Sequence, residues 1–102
     1  MGKLIDSAKK HSHAKMSFKM GEDEHELLVK LFSNDKYNEQ LEVFKSGDNE
    51  KAAGVLASYF LDSKTLEPII TAEELLSKDW KNADTARLFD VFINANNGVE
   101  GN

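Results

Sequence analysis

Apolar side chains recur every three or four residues along most of this chain, a spacing that predicts amphipathic helices. The first clear stripe follows the acidic residues Glu22, Asp23 and Glu24, whose charge favours a helix N-terminus. It consists of Leu27, Leu28, Leu31 and Phe32. We therefore predict a helix here, ended by the turn-forming residues 33–35.

The first 20 residues carry two competing patterns. Leu4, Ile5 and Ala8 fit one face of a helix, whereas the apolar side chains of residues 16–20 alternate as in a short strand. Gly21 then breaks the pattern. The sequence leaves open whether this N-terminal segment is ordered or flexible.

Two further helices are predicted in the middle of the chain. The first carries Tyr37, Leu41 and Phe44 on one face, and Gly47 suits the position just after its C-terminus. Asp48 is a favourable N-cap for the second. The apolar side of that second helix consists of Ala52, Leu56, Tyr59 and Phe60.

A connector is predicted over residues 63–71, because Pro68 disfavours helix at the residue before it. Thr71 and Glu74 then form a T-x-x-E capping box ahead of the apolar pair 75–76. This pattern predicts a fourth helix.

The last helix opens at Asn82 or Asp84 and ends at Asn96–Gly98, and residues 98–102 are expected to fray. Its apolar stripe is Leu88, Phe89, Phe92 and Ile93. The pattern as a whole predicts an all-α fold, a compact bundle of about five short amphipathic helices. At this length, residues 1–102 are expected to form a single helical domain.

Charge divides the chain into a basic segment and an acidic body. Residues 1–20 hold five Lys and one Asp, a net charge of +4, whereas the other 82 residues hold 8 basic and 17 acidic side chains, a net charge of −9. An acidic body repels phosphate, so general nucleic-acid binding is not expected. The most apolar run, residues 52–61, is too short to span a bilayer, and we expect a cytoplasmic protein without a membrane partner.

No catalytic signature is present. His11 and His13 lie close enough to pair on a metal, but two imidazoles need further ligands and the chain has no cysteine. His25 stands alone in an acidic run and lacks the second histidine of a helical zinc site. We interpret all three as solvated side chains, and predict a non-enzymatic protein without a metal or cofactor.

Protein–protein contact is the remaining chemistry that the sequence offers. The apolar stripes and Trp80 could form either the core or an interface, and the pattern does not separate these roles. The candidate contact residues, for a partner or for self-association, are Phe44, Leu56, Tyr59, Phe60, Trp80, Leu88, Phe89 and Phe92.

A family resemblance is concentrated in the last 40 residues. The segment Leu66–Leu75, LEPIITAEEL, and the closing segment Ala86–Gly98, ARLFDVFINANNG, resemble the small tail assembly chaperones of siphovirus-type phages. The resemblance is to those of phages that infect lactococci and other Gram-positive bacteria. The length and the acidic helical body are similar as well.

The resemblance implies a role in phage tail morphogenesis. Such chaperones coat the helical tape measure protein in the host cell cytoplasm until the tail tube polymerises around it, and they are absent from the mature virion. The implied partners are therefore the tape measure protein and further copies of the chain, in a homo-oligomer.

Three other classes of function remain open. A small helical adaptor or regulatory protein would need the same apolar surfaces. A helix-turn-helix DNA-binding regulator could use residues 37–61 with Gly47 in the turn, but Lys51 is the only base of its second helix. A small hydrolase would have to rely on carboxylates, with a metal held by one or more of the three histidines.

Overall fold

The computed structural model describes residues 2–98. They form an α+β fold, in which five helices accompany a three-stranded antiparallel sheet of strand order β1-β2-β3. The elements in chain order are α1 (Lys3–Lys10), β1 (His13–Met20), β2 (Asp23–Lys30), α2 (Asn34–Lys45), α3 (Asn49–Ala57), β3 (Phe60–Asp62), α4 (Ala72–Leu75) and α5 (Asn82–Asn96). The predicted all-α bundle is therefore wrong. The tail was expected to fray over residues 98–102, of which residues 99–102 lie outside the described part of the chain.

The main correction concerns the helix predicted after Glu24. Residues 23–30 form β2 and pair with β1, with Met16 opposite Leu27. The turn between the strands holds Gly21 at φ +61°, a positive value that a two-residue hairpin turn requires. Leu27 and Val29 are buried and two residues apart, which is the strand period, so the short apolar run fitted both structures.

The second correction concerns the end of α3. The predicted stripe placed Tyr59 and Phe60 on this helix, but α3 ends at Ala57. Phe60 begins β3 and lies opposite Val29 of β2. Phe60 thus belongs to the sheet, and Tyr59 lies in the turn between α3 and β3.

Several local predictions are confirmed. Asp48 caps α3 by accepting a hydrogen bond from the N–H of Lys51, and Gly47 has φ +81° after α2. Thr71 and Glu74 form both hydrogen bonds of the capping box that begins α4. These signals depend on neighbouring residues alone, so tertiary structure does not override them.

The core lies between one face of the sheet and the helices that cover it, chiefly α5. Phe92 of α5 has no exposed surface, and its ring stacks on Tyr59 with centroids 4.2 Å apart and an interplanar angle of 12°. The Tyr59 hydroxyl donates to Gln40 Oε1 of α2 at 2.7 Å. One aromatic cluster therefore joins α2, β3 and α5.

Candidate helix-binding groove

An open apolar groove lies on the helical side of the molecule. Its volume is about 420 Å³, within the usual range of ligand pockets. Its walls come from the C-terminal end of α2, from α3, from the end of α4 and from the first half of α5. The lining residues are Phe44, Asn49, Ala52, Ala53, Leu56, Leu75, Leu76, Asn82, Thr85, Ala86 and Phe89.

Two half-buried phenylalanines form one end of the groove. Phe44 on α2 and Phe89 on α5 meet edge to face, with ring centroids 4.8 Å apart. Phe89 also contacts the buried Phe92, with centroids at 6.1 Å, so the pair rests on the core. Leu56, only 3% exposed, forms part of the groove wall from α3. A rigid apolar surface of this kind can bind the apolar face of a helix without reorganisation.

Leu76 places an exposed apolar side chain on the groove wall. The capping box fixes the start of α4, so the helix buries Leu75 and leaves Leu76, its C-cap residue, 52% exposed. An exposed leucine beside a groove is a plausible anchor for a partner. Sequence reasoning missed Leu76 as a site residue, because the apolar pair Leu75–Leu76 does not show which of the two leucines is exposed.

Asp84 fixes the start of α5 and so the position of the groove wall. Its Oδ2 accepts a hydrogen bond from the backbone N–H of Lys81 at 3.0 Å, and its Oδ1 accepts one from the Arg87 guanidinium. The hydrogen bond from Lys81 holds the pKa of Asp84 below its usual range, against the opposing effect of burial. The carboxylate is therefore a structural cap.

The surroundings of the groove are acidic. The segments 48–57, 71–79 and 82–90 supply its walls from α3, α4 and α5, and together they carry seven carboxylates and three basic side chains, a net charge of −4. The residues that line the groove are themselves uncharged, and the net negative charge of the surrounding segments favours a basic amphipathic helix as the ligand.

The eight candidate contact residues separate into three groups. Phe44, Leu56 and Phe89 line the groove. Tyr59, Phe60 and Phe92 are each at most 1% exposed, and they belong to the core. Leu88 and Trp80 line a separate cleft of about 120 Å³ beside the sheet.

Trp80 is half-buried and held in place. Its indole Nε1 donates to Thr85 Oγ1 at 2.8 Å, which ties the segment before α5 to the first turn of that helix. The cleft also includes His25 and Phe18, so Trp80 connects the helices with the hairpin. Packing accounts for its position.

His25 lies far from His13 along the sheet, so these two histidines cannot share one metal ion. His25 lies opposite Phe18 and His13 opposite Lys30, five positions apart along the sheet, or roughly 17 Å. His11 caps the C-terminus of α1. Within residues 2–98 no group of three or more histidine, cysteine, aspartate or glutamate side chains is arranged to hold a metal ion.

None of the helices in the described part of the chain is both long and apolar enough to cross a membrane. Comparisons with models of protein families, with curated proteins and with solved structures gave no match for this chain. The resemblance to tail assembly chaperones therefore stays a prediction.

Proposed function

We propose that this protein is a non-enzymatic phage tail assembly chaperone that binds amphipathic helices of the tape measure protein. The observation that supports the proposal is the apolar groove between α3, α4 and α5, in segments of net negative charge. A helix that presents apolar side chains at i, i+3 or i+4, and i+7 fits such a groove.

The charge of the rest of the molecule suits a coating protein. The net charge of the chain is −5, and the acidic body keeps neighbouring copies in solution while their grooves are occupied. A long helical protein covered by such subunits would expose carboxylates in place of its apolar stripe. In this proposal the free chaperone is a homo-oligomer in the host cytoplasm, its subunits then coat the tape measure protein, and they leave before the virion is complete.

The test is co-purification with a tape measure protein, made in the same cells, for the native chain and two variants. Leu76→Lys places a charge in the groove, and Leu66→Lys places the same charge on another exposed leucine, 61% exposed against 52% for Leu76. We expect Leu76→Lys to lose the tape measure protein and Leu66→Lys to retain it. Equal recovery with both variants would refute the groove as the binding site.

A general helical adaptor is the alternative, because the groove accepts basic amphipathic helices of other origin as well. The two functions differ in the solubility of the client. A chaperone keeps the tape measure protein soluble in stoichiometric complexes, whereas an adaptor binds one short segment and leaves the rest to aggregate. Sedimentation of the co-expressed tape measure protein separates them.

A further inference from the structure

Helix α1 presents an apolar face that nothing covers in the single chain. None of its residues is buried, and Leu4 and Ile5 are 87% and 52% exposed. Ala8 lies four residues after Leu4, on the same side of the helix. An isolated helix of eight residues is marginal in water, so α1 gains stability if this face is buried.

We propose that α1 of one copy binds in the groove of a second copy, so that the protein associates head to tail. This inference requires the groove but not the tape measure protein, so it goes beyond the function proposed above. Leu4 and Ile5 would enter the groove between Phe89 and Leu76 of the second copy. The resulting contact uses two different surfaces, one from each copy.

Charge complementarity supports a second copy as the occupant. Helix α1 carries Lys3, Lys9 and Lys10 against Asp6, a net charge of +2, and the groove segments carry −4. Among the described helices, α1 is the one that is both basic and without a buried residue, so the negative charge around the groove attracts it. The attraction acts over a Debye length of about 8 Å in physiological salt, so it should weaken as salt is added.

The connector between α1 and the sheet favours binding to another copy over binding within the same chain. The carbonyl of Ser12 accepts a hydrogen bond from the N–H of Leu31 at 3.0 Å, which fixes the chain just before β1. His11 is then the single residue about which α1 could turn. In the single chain α1 does not occupy its own groove, since none of its residues is buried, and a second copy can meet α1 where it stands.

Association of this type does not close on a two-fold axis. After pairing, one copy keeps a free groove and the other a free α1, so further copies add until a ring closes or a helical array grows. A client helix would compete with α1 for the groove. The groove of the free protein would then be covered by a neighbour and released to a client in exchange.

The experiment is sedimentation equilibrium of the native chain and two variants over a wide concentration range. The first variant combines Leu4→Ser and Ile5→Ser and keeps an intact groove, whereas Leu76→Lys keeps an intact α1. All the substituted side chains are exposed, so folding should be preserved, and circular dichroism checks this. We expect the native chain to form a concentration-dependent series and each variant to dissociate at least about tenfold more readily.

Mixing the two variants tests whether the contact joins α1 of one copy to the groove of the other. The intact α1 of Leu76→Lys can enter the intact groove of the double serine variant, so the mixture should form a 1:1 dimer of about twice 11.4 kDa and grow no further. Contact between two α1 helices would pair two Leu76→Lys copies, and contact between two grooves would pair two serine copies, so either would appear in one variant measured alone and neither gives a mixed dimer. Absence of the mixed dimer would overturn the proposal.

Two other results would also refute it. A native chain of 11.4 kDa at every concentration would mean that α1 stays free or binds its own groove. Self-association that survives the serine substitutions would mean that another surface is used. Binding of a tape measure helix to the serine variant is measured separately, so failure of self-association is distinguishable from failure of the chaperone function.

Discussion

Asn96 joins the end of α5 to the end of the sheet, and its removal gives the sharpest stability prediction. Its Oδ1 accepts a hydrogen bond from the backbone N–H of Phe32 at 2.8 Å. Its Nδ2 donates to the carbonyls of Lys30 and Phe92, both at 3.1 Å. Asn96→Ala removes all three hydrogen bonds and leaves the half-buried Phe32 N–H without its partner.

The magnitude follows from two of these bonds. The bond to Phe92 lies within α5, so those to Phe32 and Lys30 are the ones that connect α5 with the sheet. At about 1 kcal/mol each, with an added cost for the unpaired N–H, we expect the free energy of unfolding to fall by about 2–3 kcal/mol. For a domain of this size the melting temperature should fall by roughly 10–20 °C.

Urea unfolding followed by the fluorescence of the single tryptophan, Trp80, measures this change. The matched control is Asn97→Ala, which removes one exposed bond to the Ile93 carbonyl at 2.9 Å and should cost less than about 0.5 kcal/mol. If the free energies of unfolding of the two variants differ by less than about 0.5 kcal/mol, the reasoning about Asn96 is refuted.

Four further predictions concern the helices and the residues that end them. Gly54→Ala should raise the free energy of unfolding by about 0.5–1 kcal/mol, because Gly54 lies within α3 with no atom near the added Cβ. Gly47→Ala should lower the free energy of unfolding by about 1 kcal/mol, because φ is +81° at this position. Urea unfolding of the two variants should therefore show a higher midpoint for Gly54→Ala and a lower midpoint for Gly47→Ala than for the native chain. Phe92→Ala should cost about 3–5 kcal/mol in the same assay, and a loss under about 1 kcal/mol would show that the aromatic cluster is not the core. The pKa of Asp84 lies below its ordinary value of 3.8, so its carboxylate stabilises the fold above that pH and this contribution is lost as the pH falls through the lowered pKa. Asp84→Asn should therefore reduce the loss of stability below about pH 4, measured as urea midpoints between pH 2.5 and 6, and an unchanged slope would contradict the prediction.

The contrast between the hairpin and the capped helices shows how far sequence reasoning reaches. The capping box of Thr71 and Glu74 involves residues three apart, so the local sequence determines it. The strand β2 depends on its pairing with β1, in which Met16 meets Leu27. Leu27, Leu28 and Leu31 fit one face of a helix, whereas Leu27 and Val29 fit one face of a strand, and the pairing partner decides between them.

The candidate groove shows the same division. Phe44, Leu56 and Phe89 were candidate contact residues from their stripes, but so were Tyr59 and Phe92, which the fold buries. An apolar stripe shows that a face is covered and leaves open what covers it, because a core and an interface use the same side chains.

The sequence by itself determined the local signals of this protein: the caps of α3 and α4, the glycine after α2, the break at Gly21, and the contrast between a basic segment and an acidic body. These features depend on adjacent residues or on simple counts. Only the tertiary structure decided that the N-terminal third contains a hairpin, that Phe60 joins its sheet, and that Leu4 and Leu76 remain exposed. Strand pairing and burial depend on residues distant along the chain, and no local pattern contains that information.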